Sequence, residues 1–300
     1  MNMPRPTHET APLKRPMRHA GFTLMEMVIS LVVLALLSVV MLPLLSLPSS
    51  AYMDARRRAD IQNRMDLIRS KLKDDLQYAM PGSVRRTNLG VVQYLEYLEI
   101  RGYGRYRNDG TCAVPANSFV AGCAISTFDT LGPITYLSGA TPGVVANSDF
   151  VAVASSTVDL YQPAGSRPMA RISAAAPIAT GVRLTFAANS FPPVVAGATK
   201  RAYIVVQPVT YVCNPTVNNN NLKKYWGYNV TLAQPTAFGV GVPNALISDS
   251  ISTCNIGVDP THTIGIMKSV VSLAVRLSKA TAGQPADFMD GFIQVGVREP

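Results

Sequence analysis

Residues 21–47 read GFTLMEMVISLVVLALLSVVMLPLLSL, and this stretch decides the architecture of the 300-residue chain. No charged residue lies between Glu26 and Asp54. About 20 apolar residues are enough to cross a bilayer as a helix. The apolar core of a cleavable secretory signal has only about 7 to 15 residues. The stretch therefore predicts a membrane helix that the mature protein retains.

Two features distinguish this stretch from an ordinary signal anchor. An ionised carboxylate such as that of Glu26 costs on the order of 2.5 to 3.5 kcal/mol at the centre of a membrane, so it needs a partner. A water-filled cavity or another helix is the alternative explanation of this glutamate. The basic leader ends abruptly before Phe22, which predicts a processing junction. Its basic residues are Arg5, Lys14, Arg15 and Arg18.

The motif GFTLME at residues 21–26 resembles the processing site of type IV pilins and of type II secretion pseudopilins. The resemblance implies that prepilin peptidase cuts after Gly21 and that Phe22 becomes the N-methylated terminus. It also implies that Glu26 attracts the terminal amine of a neighbouring subunit. Pro43 lies where many pilins bend this helix, whereas Pro48 departs from the pattern.

The helix is predicted to continue to Met80, because apolar residues recur at spacings of three and four. These residues are Ile61, Met65, Ile68, Leu72, Leu76 and Ala79. Pro81-Gly82 ends the pattern. The resemblance then implies a pilin-like α+β fold with a long helix docked on a β-rich periplasmic head. The predicted divisions are a leader (1–21), a transmembrane or fibre-core helix (22–47), its amphipathic continuation (48–80) and the head (81–300).

The head is predicted to be β-rich, since short runs of β-branched and aromatic residues alternate with Gly and Pro. The candidate strands are 91–100, 150–154, 182–186, 202–207, 225–232, 269–277 and 292–298. Asn218 to Asn221 is predicted as a hairpin loop between 208–213 and 224–228. Thr111 to Gly143 has weak periodicity and is interpreted as a disulfide-tied loop.

Charge alone does not predict how the chain is oriented across the membrane. The formal net charge is +9, but Arg56-Arg57-Arg58 balances the basic leader across the predicted membrane helix. An even number of cysteines beyond that helix favours two disulfides in an oxidising compartment, which is the periplasm, although several pairings are open. The candidates are Cys112, Cys123, Cys213 and Cys254. A zinc site is the alternative, but no C-x-x-C pair is present.

No catalytic, cofactor-binding or metal motif is found, so the chain is not expected to be an enzyme. Outside the leader the only histidine is His262, which lies between two threonines. Two acidic pairs could chelate a cation weakly, but such pairs are usually solvated. They are Asp74-Asp75 and Asp287 with Asp290.

Two aromatic clusters could bind a ligand, although strand packing is the alternative for the first. The first cluster is Tyr225, Trp226 and Tyr228. In the second, arginines alternate with tyrosines on a predicted Gly-rich loop, an arrangement that suits single-stranded nucleic acid. It comprises Arg101, Tyr103, Arg105, Tyr106 and Arg107. Nucleic acid is a possible partner that no recognition motif supports.

Short motifs along the mature chain resemble the O-type minor pilins of mannose-sensitive haemagglutinin (MSHA) pili. These are LQYAMPGSVR (76–85), VTYVC (209–213), YWGY (225–228) and QVGVR (294–298). W-type minor pilins and J-type pseudopilins are neighbouring families.

The resemblance implies a minor pilin in the initiation or tip complex of the pilus. Its partners would be prepilin peptidase, other minor and major pilins, the inner membrane and the assembly platform. Its N-terminus would be cytoplasmic and its head periplasmic, before it reaches the cell-surface pilus. A type II pseudopilin, a tip adhesin or DNA-capture protein, and an anchored enzyme are the alternatives.

Overall fold

A computed structural model describes residues 23–107, 118–120, 122–137, 142–153, 159–163, 168–191, 200–259, 267–281 and 284–298. It contains one long helix followed by strands. The elements are α1 (Leu24–Leu76), β1 (Arg85–Leu89), β2 (Val92–Arg105), β3 (Ala124–Asp129), β4 (Thr135–Tyr136), β5 (Phe150–Val153), β6 (Met169–Ile178), β7 (Gly181–Ser190), β8 (Arg201–Asn214), β9 (Asn221–Trp226), β10 (Asn244–Ser248), β11 (Ile251–Asp259), β12 (Met267–Thr281) and β13 (Gln284–Arg298).

Two compact units make up the chain, residues 1–56 and residues 57–300. The described part of the first unit is the N-terminal portion of α1. Within it, Leu24–Met41 is long and apolar enough to cross a membrane, with a mean hydropathy of 2.6. The second unit, here called the head, holds the last turns of α1 and all the strands. The prediction of an apolar N-terminal helix and a β-rich head is thereby confirmed.

Two antiparallel sheets build the head. The larger has the order β1-β2-β8-β5-β6-β7-β3, with β4 on β2, β9 on β8 and β10 on β9. Its longest pairing joins β2 to β8, from Gln93 opposite Cys213 to Arg105 opposite Arg201. The smaller sheet has the order β11-β12-β13. Sequential strands pair through short connections there, which is a β-meander.

The main core of the head receives one apolar row from the C-terminal part of α1. Spacings of three and four residues place this row on one side of the helix. Its buried members are Ile61, Met65, Ile68, Leu72 and Leu76. They share a core with Leu95 and Tyr211 of the larger sheet and with Leu273 and Ile293 of the smaller one. Both sheets therefore bury apolar surface in contact with the same core.

A glycine lets the smaller sheet approach the helix closely. A Cβ atom on Gly291 of β13 would lie 2.2 Å from Sδ of Met65. Gly291 is opposite Val275 of β12, whose side chain is buried in the same core. A larger residue at position 291 would therefore require the Met65 side chain or β13 to shift.

The helix ends four residues earlier than the apolar spacing predicts, so the prediction that it reaches Met80 is wrong. Helix α1 ends at Leu76. Ala79 forms a β-bridge with Glu99, and the Met80 N–H donates to the Leu98 carbonyl at 2.7 Å. Ala79 and Met80 are buried as predicted, but their backbone pairs with the sheet instead of continuing the helix.

Several strand predictions need correction. The predicted loop at 111–143 contains β3 and β4. The predicted strand at 225–232 ends at Trp226, because Gly227 takes a φ of +74° that turns the chain out of the sheet. The segments predicted at 202–207 and 208–213 form the single strand β8. The hairpin loop is confirmed in position, although Asn221 already pairs with Asn214 in β9.

A disulfide joins the two sheets. Cys213 at the end of β8 is bonded to Cys254 of β11, with their Cα atoms 6.4 Å apart. This bond joins two of the four candidate cysteines, and it confirms one of the two predicted disulfides. Cys123 is also disulfide-bonded, but Cys112 lies outside the described residues. Pairing of Cys112 with Cys123 therefore stays a prediction.

We expect Ile68→Ala to lower the free energy of unfolding by about 2 to 5 kcal/mol, because it leaves a cavity at a position that is 1% exposed. The matched control is Leu67→Ala, whose side chain is 45% exposed and whose loss should change stability by at most about 0.5 kcal/mol. Urea unfolding of the detergent-solubilised chain, followed by fluorescence of the single Trp226, measures both. Equal losses would show that the row is not buried.

We expect the double variant Cys213→Ala with Cys254→Ala to unfold more easily by about 2 to 4 kcal/mol. The two cysteines are 41 residues apart in sequence, so the bond removes a long loop from the unfolded ensemble. The same urea titration measures the loss. A double variant as stable as the unmodified chain would contradict this assignment of stability to the bond.

Candidate assembly site on the N-terminal helix

Thr23 caps the start of α1. Its Oγ1 accepts a hydrogen bond from the Glu26 N–H at 3.3 Å, and its carbonyl accepts from the Met27 N–H at 3.1 Å. The spacing Thr-x-x-Glu is that of a capping box. Sequence reasoning missed this role, although the signal is present in residues 23–26. The cap fixes where the helix begins and thereby the position of Glu26 in its first turn.

The Glu26 carboxylate is exposed at this first turn. Acidic groups are favourable there because the helix dipole presents its positive end. Among the residues that the structure describes, no side chain forms a hydrogen bond or ion pair with this carboxylate. The carboxylate can therefore accept a positive group from outside this part of the chain.

The helix that follows is apolar around its whole circumference. None of the residues in Leu24–Met41 is buried, and large side chains such as Leu24 and Val39 are 84% and 71% exposed. The Ser30 and Ser38 hydroxyls each donate to a helix carbonyl four residues earlier, at 2.7 Å. Their polar groups are thus satisfied within the helix. Such a surface suits lipid or other apolar helices.

The processing residues and the proline bend of this region stay predictions. Gly21 and Phe22 lie outside the described residues. Pro43 and Pro48 fall inside the range of α1, and the bend predicted at Pro43 stays a prediction.

Three residues of the two acidic pairs, Asp75, Asp287 and Asp290, are engaged by other side chains of the protein. The Asp75 carboxylate accepts hydrogen bonds from the Tyr211 hydroxyl and from Lys224 Nζ, both at 2.5 Å. Asp287 pairs with Arg57 and Asp290 with Arg276, at 2.7 and 2.6 Å. Within the described ranges, no group of three His, Cys, Asp or Glu side chains could hold a metal ion. His262 lies outside those ranges.

Each residue of the first aromatic cluster makes a different contact within the head. Tyr225 stacks on Phe238 with ring centroids 4.2 Å apart. Trp226 packs against the main core. The Tyr228 hydroxyl lies 2.5 Å from the Thr210 hydroxyl and donates to Glu96 at 3.0 Å. The alternative explanation, strand packing, therefore accounts for much of this cluster.

A buried carboxylate organises the segment after Gly227. Glu96 of β2 is fully buried and pairs with Arg85 Nε at 2.7 Å. Burial raises the pKa of Glu96 above its ordinary value, although Arg85 and the Tyr228 hydroxyl act in the opposite direction. Burial and the nearby Glu96 also raise the pKa of Tyr228, so its hydroxyl stays protonated and can donate. This network holds Tyr228 against the sheet, although residue 228 takes no part in strand pairing.

The arginine and tyrosine cluster lies largely on a strand, so the prediction that it lies on a loop is wrong for most of its residues. Arg101, Tyr103 and Arg105 belong to β2, and the Tyr106 ring is fully buried. The neighbouring glycines are required by packing, since a Cβ on Gly102 would lie 2.6 Å from the Thr135 carbonyl oxygen.

Comparison with known proteins identifies one family motif. Residues 16–42 match the prokaryotic N-terminal methylation motif. No curated protein and no solved structure is significantly similar to this chain. The motif supports a type IV pilin or pseudopilin, which is a structural class of protein. Together with the exposed apolar helix it indicates anchoring in a membrane, processing by prepilin peptidase and assembly with other pilins.

Proposed function

We propose that this chain is the precursor of a minor pilin, a pilus biogenesis subunit of a type IV pilus of the MSHA type. Prepilin peptidase removes residues 1–21 and methylates the new terminus at Phe22. The mature subunit joins the initiation or tip complex of the fibre. The observation that carries the proposal is the methylation motif at residues 16–42, which coincides with an unburied apolar helix.

Glu26 supplies the polar step of assembly. Its carboxylate is exposed and has no partner among the described residues. Cleavage after Gly21 creates a terminal amine, so each processed subunit carries both an acid and a base at the start of its apolar helix. An amine and a carboxylate that enter an apolar medium together avoid the penalty that each would meet alone. Glu26 of one subunit is therefore expected to pair with Phe22 of its neighbour.

Apolar surface supplies the remaining free energy. The helix surface at 24–41 contacts lipid before assembly and contacts other helices within the fibre. Tight packing between helices, which lipid chains match poorly, favours the fibre. The disulfide Cys213–Cys254 is consistent with a head in the oxidising periplasm.

Resemblance supports the assignment to pili of the MSHA type. The short motifs at 76–85, 209–213, 225–228 and 294–298 favour the O-type minor pilins of MSHA pili over the general class. A pseudopilin of type II secretion is the second candidate, since the methylation motif is common to both classes. Co-purification with sheared surface pili, as opposed to retention in the cell envelope, distinguishes them.

Processing gives the first test. The intact mass of the membrane-extracted protein should equal residues 22–300 plus one methyl group. The Gly21→Ala variant should keep its leader, because the peptidase reads the residue before the cut. A chain that begins at Met1 in both cases would overturn the proposal and leave a signal-anchored protein.

The second test separates assembly from processing. We expect Glu26→Gln to be cleaved normally but to enter fibres at least about tenfold less, because the amide leaves a neighbour's terminal amine unpaired in an apolar medium. The amount of the subunit in sheared pili, relative to the amount in membranes, measures this. Ser30→Ala, one turn along the same helix, is the matched control. Normal incorporation of the Glu26→Gln subunit would contradict the role of the carboxylate.

A further inference from the structure

One edge of the smaller sheet is closed by side chains of the larger sheet. The Gln93 side chain of β2 donates to the Cys254 carbonyl at 3.0 Å and accepts from the Ile256 N–H. The Arg86 side chain of β1 donates to the Ile256 carbonyl. These side chains satisfy backbone groups of β11 that β12 does not reach. An added strand could pair with β11 only by displacing them.

The opposite edge of the smaller sheet is open. Strand β13 pairs with β12 alone, and the register is unbroken from Val297 opposite Ser269 to Asp287 opposite Lys279. Within the described ranges, no group outside β12 forms a hydrogen bond with the backbone of β13. Every second residue of an edge strand directs its N–H and C=O away from its paired neighbour, so about five residues of this edge present free donors and acceptors.

The open edge lacks the features that usually protect an edge strand. Lysine, proline and bulges are common protective devices, and none of them occurs in residues 287–297. Phe288 and Phe292 are instead 63% and 64% exposed. They lie on the outer face of the sheet, because their side chains alternate with those that enter the core. Asp290 between them is paired with Arg276 at 2.6 Å, so no uncompensated charge repels an incoming strand.

The direction of α1 in the head excludes a two-fold dimer through this edge for subunits anchored in one membrane. Such a dimer would join two antiparallel β13 strands about an axis perpendicular to the sheet. The last turns of α1 pack on the inner face of that sheet, roughly parallel to its plane. The axis would reverse their direction, so the two chains would enter their heads from opposite directions. A neighbour aligned in the same direction needs a heterologous contact, in which β13 meets a different strand.

We propose that β13 binds an extended strand from the head of a neighbouring pilin subunit, which becomes the fourth strand of the smaller sheet. Backbone hydrogen bonds along 287–297 supply the contact, as in other cases of strand addition. Phe288 and Phe292 pack against alternate apolar side chains of the incoming strand. Heterologous contacts that do not close on themselves build a filament. The inference rests on the proposed function, since it requires a fibre of aligned subunits.

The contact is tested by photocrosslinking in sheared pili. Phe292 is replaced by p-benzoylphenylalanine, an aromatic residue that suits this exposed site. We expect irradiation to link it to a strand in the head of another pilin subunit, which mass spectrometry of the linked peptides identifies. The same replacement at Val240, which is fully exposed outside the strands, is the control and should not give this product.

Two outcomes of the crosslinking would overturn the proposal. A link to β13 of a second copy would show that the occupant is a two-fold partner. A link to a protein outside the fibre, or no link at all, would show that no neighbouring subunit occupies this edge.

A second variant tests whether the edge itself is needed. We expect Phe292→Lys to enter sheared pili at least about tenfold less, relative to the amount in membranes, because a lysine on an edge strand opposes pairing. The matched control is Asn255→Lys, which adds the same charge on the outer face of β11. Asn255 lies in the same cross-strand row as Phe292, through Ala274 of β12. It is two strands, or roughly 9 to 10 Å, away from β13, and should assemble normally.

The control also separates an edge contact from docking on the outer face. Equal losses in Phe292→Lys and Asn255→Lys would indicate docking on the face and would overturn the proposal, as would normal assembly of both. Cleavage after Gly21 should be normal in every variant. Absence of the unmodified chain from sheared pili would instead overturn the proposed function, and this proposal with it.

Discussion

Burial of one helical row is the constraint on which the head depends. Five side chains between Ile61 and Leu76 enter a core that both sheets share. Each large apolar side chain contributes about 1.5 to 3 kcal/mol when it is fully buried. Together they amount to on the order of 10 kcal/mol, which is comparable to the net stability of a typical domain. A three-stranded sheet such as β11-β12-β13 needs such a cover for its apolar face.

Other contacts position the smaller sheet on this core more than they stabilise it. Gly291 allows β13 to lie against Met65, and the disulfide at Cys254 ties β11 to β8. Ion pairs from α1, such as Arg57 with Asp287, lie at the border of the core. Partly exposed pairs of this kind contribute about 0 to 1 kcal/mol. Shape and covalent linkage therefore decide where the sheet lies, and burial decides whether it stays folded.

The N-terminal turns of α1 differ from the last turns in how their apolar side chains are distributed around the helix. The apolar side chains at 24–41 surround the helix and remain unburied, whereas most of the large apolar side chains after Arg57 form a single row in the core. A helix that is apolar on all sides needs an apolar environment outside its own chain. The Thr23 cap and the Glu26 carboxylate add one polar contact point to that surface. Folding of the head and the proposed assembly thus rely on separate sets of residues.

The sequence by itself determined the apolar helix, its methylation motif and the buried row, because each is a pattern between residues close in the chain. Only the tertiary structure decided where the helix ends, since the sheet captures the backbone of Ala79 and Met80. It also decided that Pro208 lies within β8. On one side of β8, the pairing with β5 ends at Val205 and the pairing with β9 starts at Val209. A residue without an N–H between these two positions therefore leaves no partner unsatisfied. Glycines 102 and 104 likewise allow close packing in β2. The local sequence pattern cannot distinguish such glycines from those of a loop, because the atoms that require them are distant in sequence.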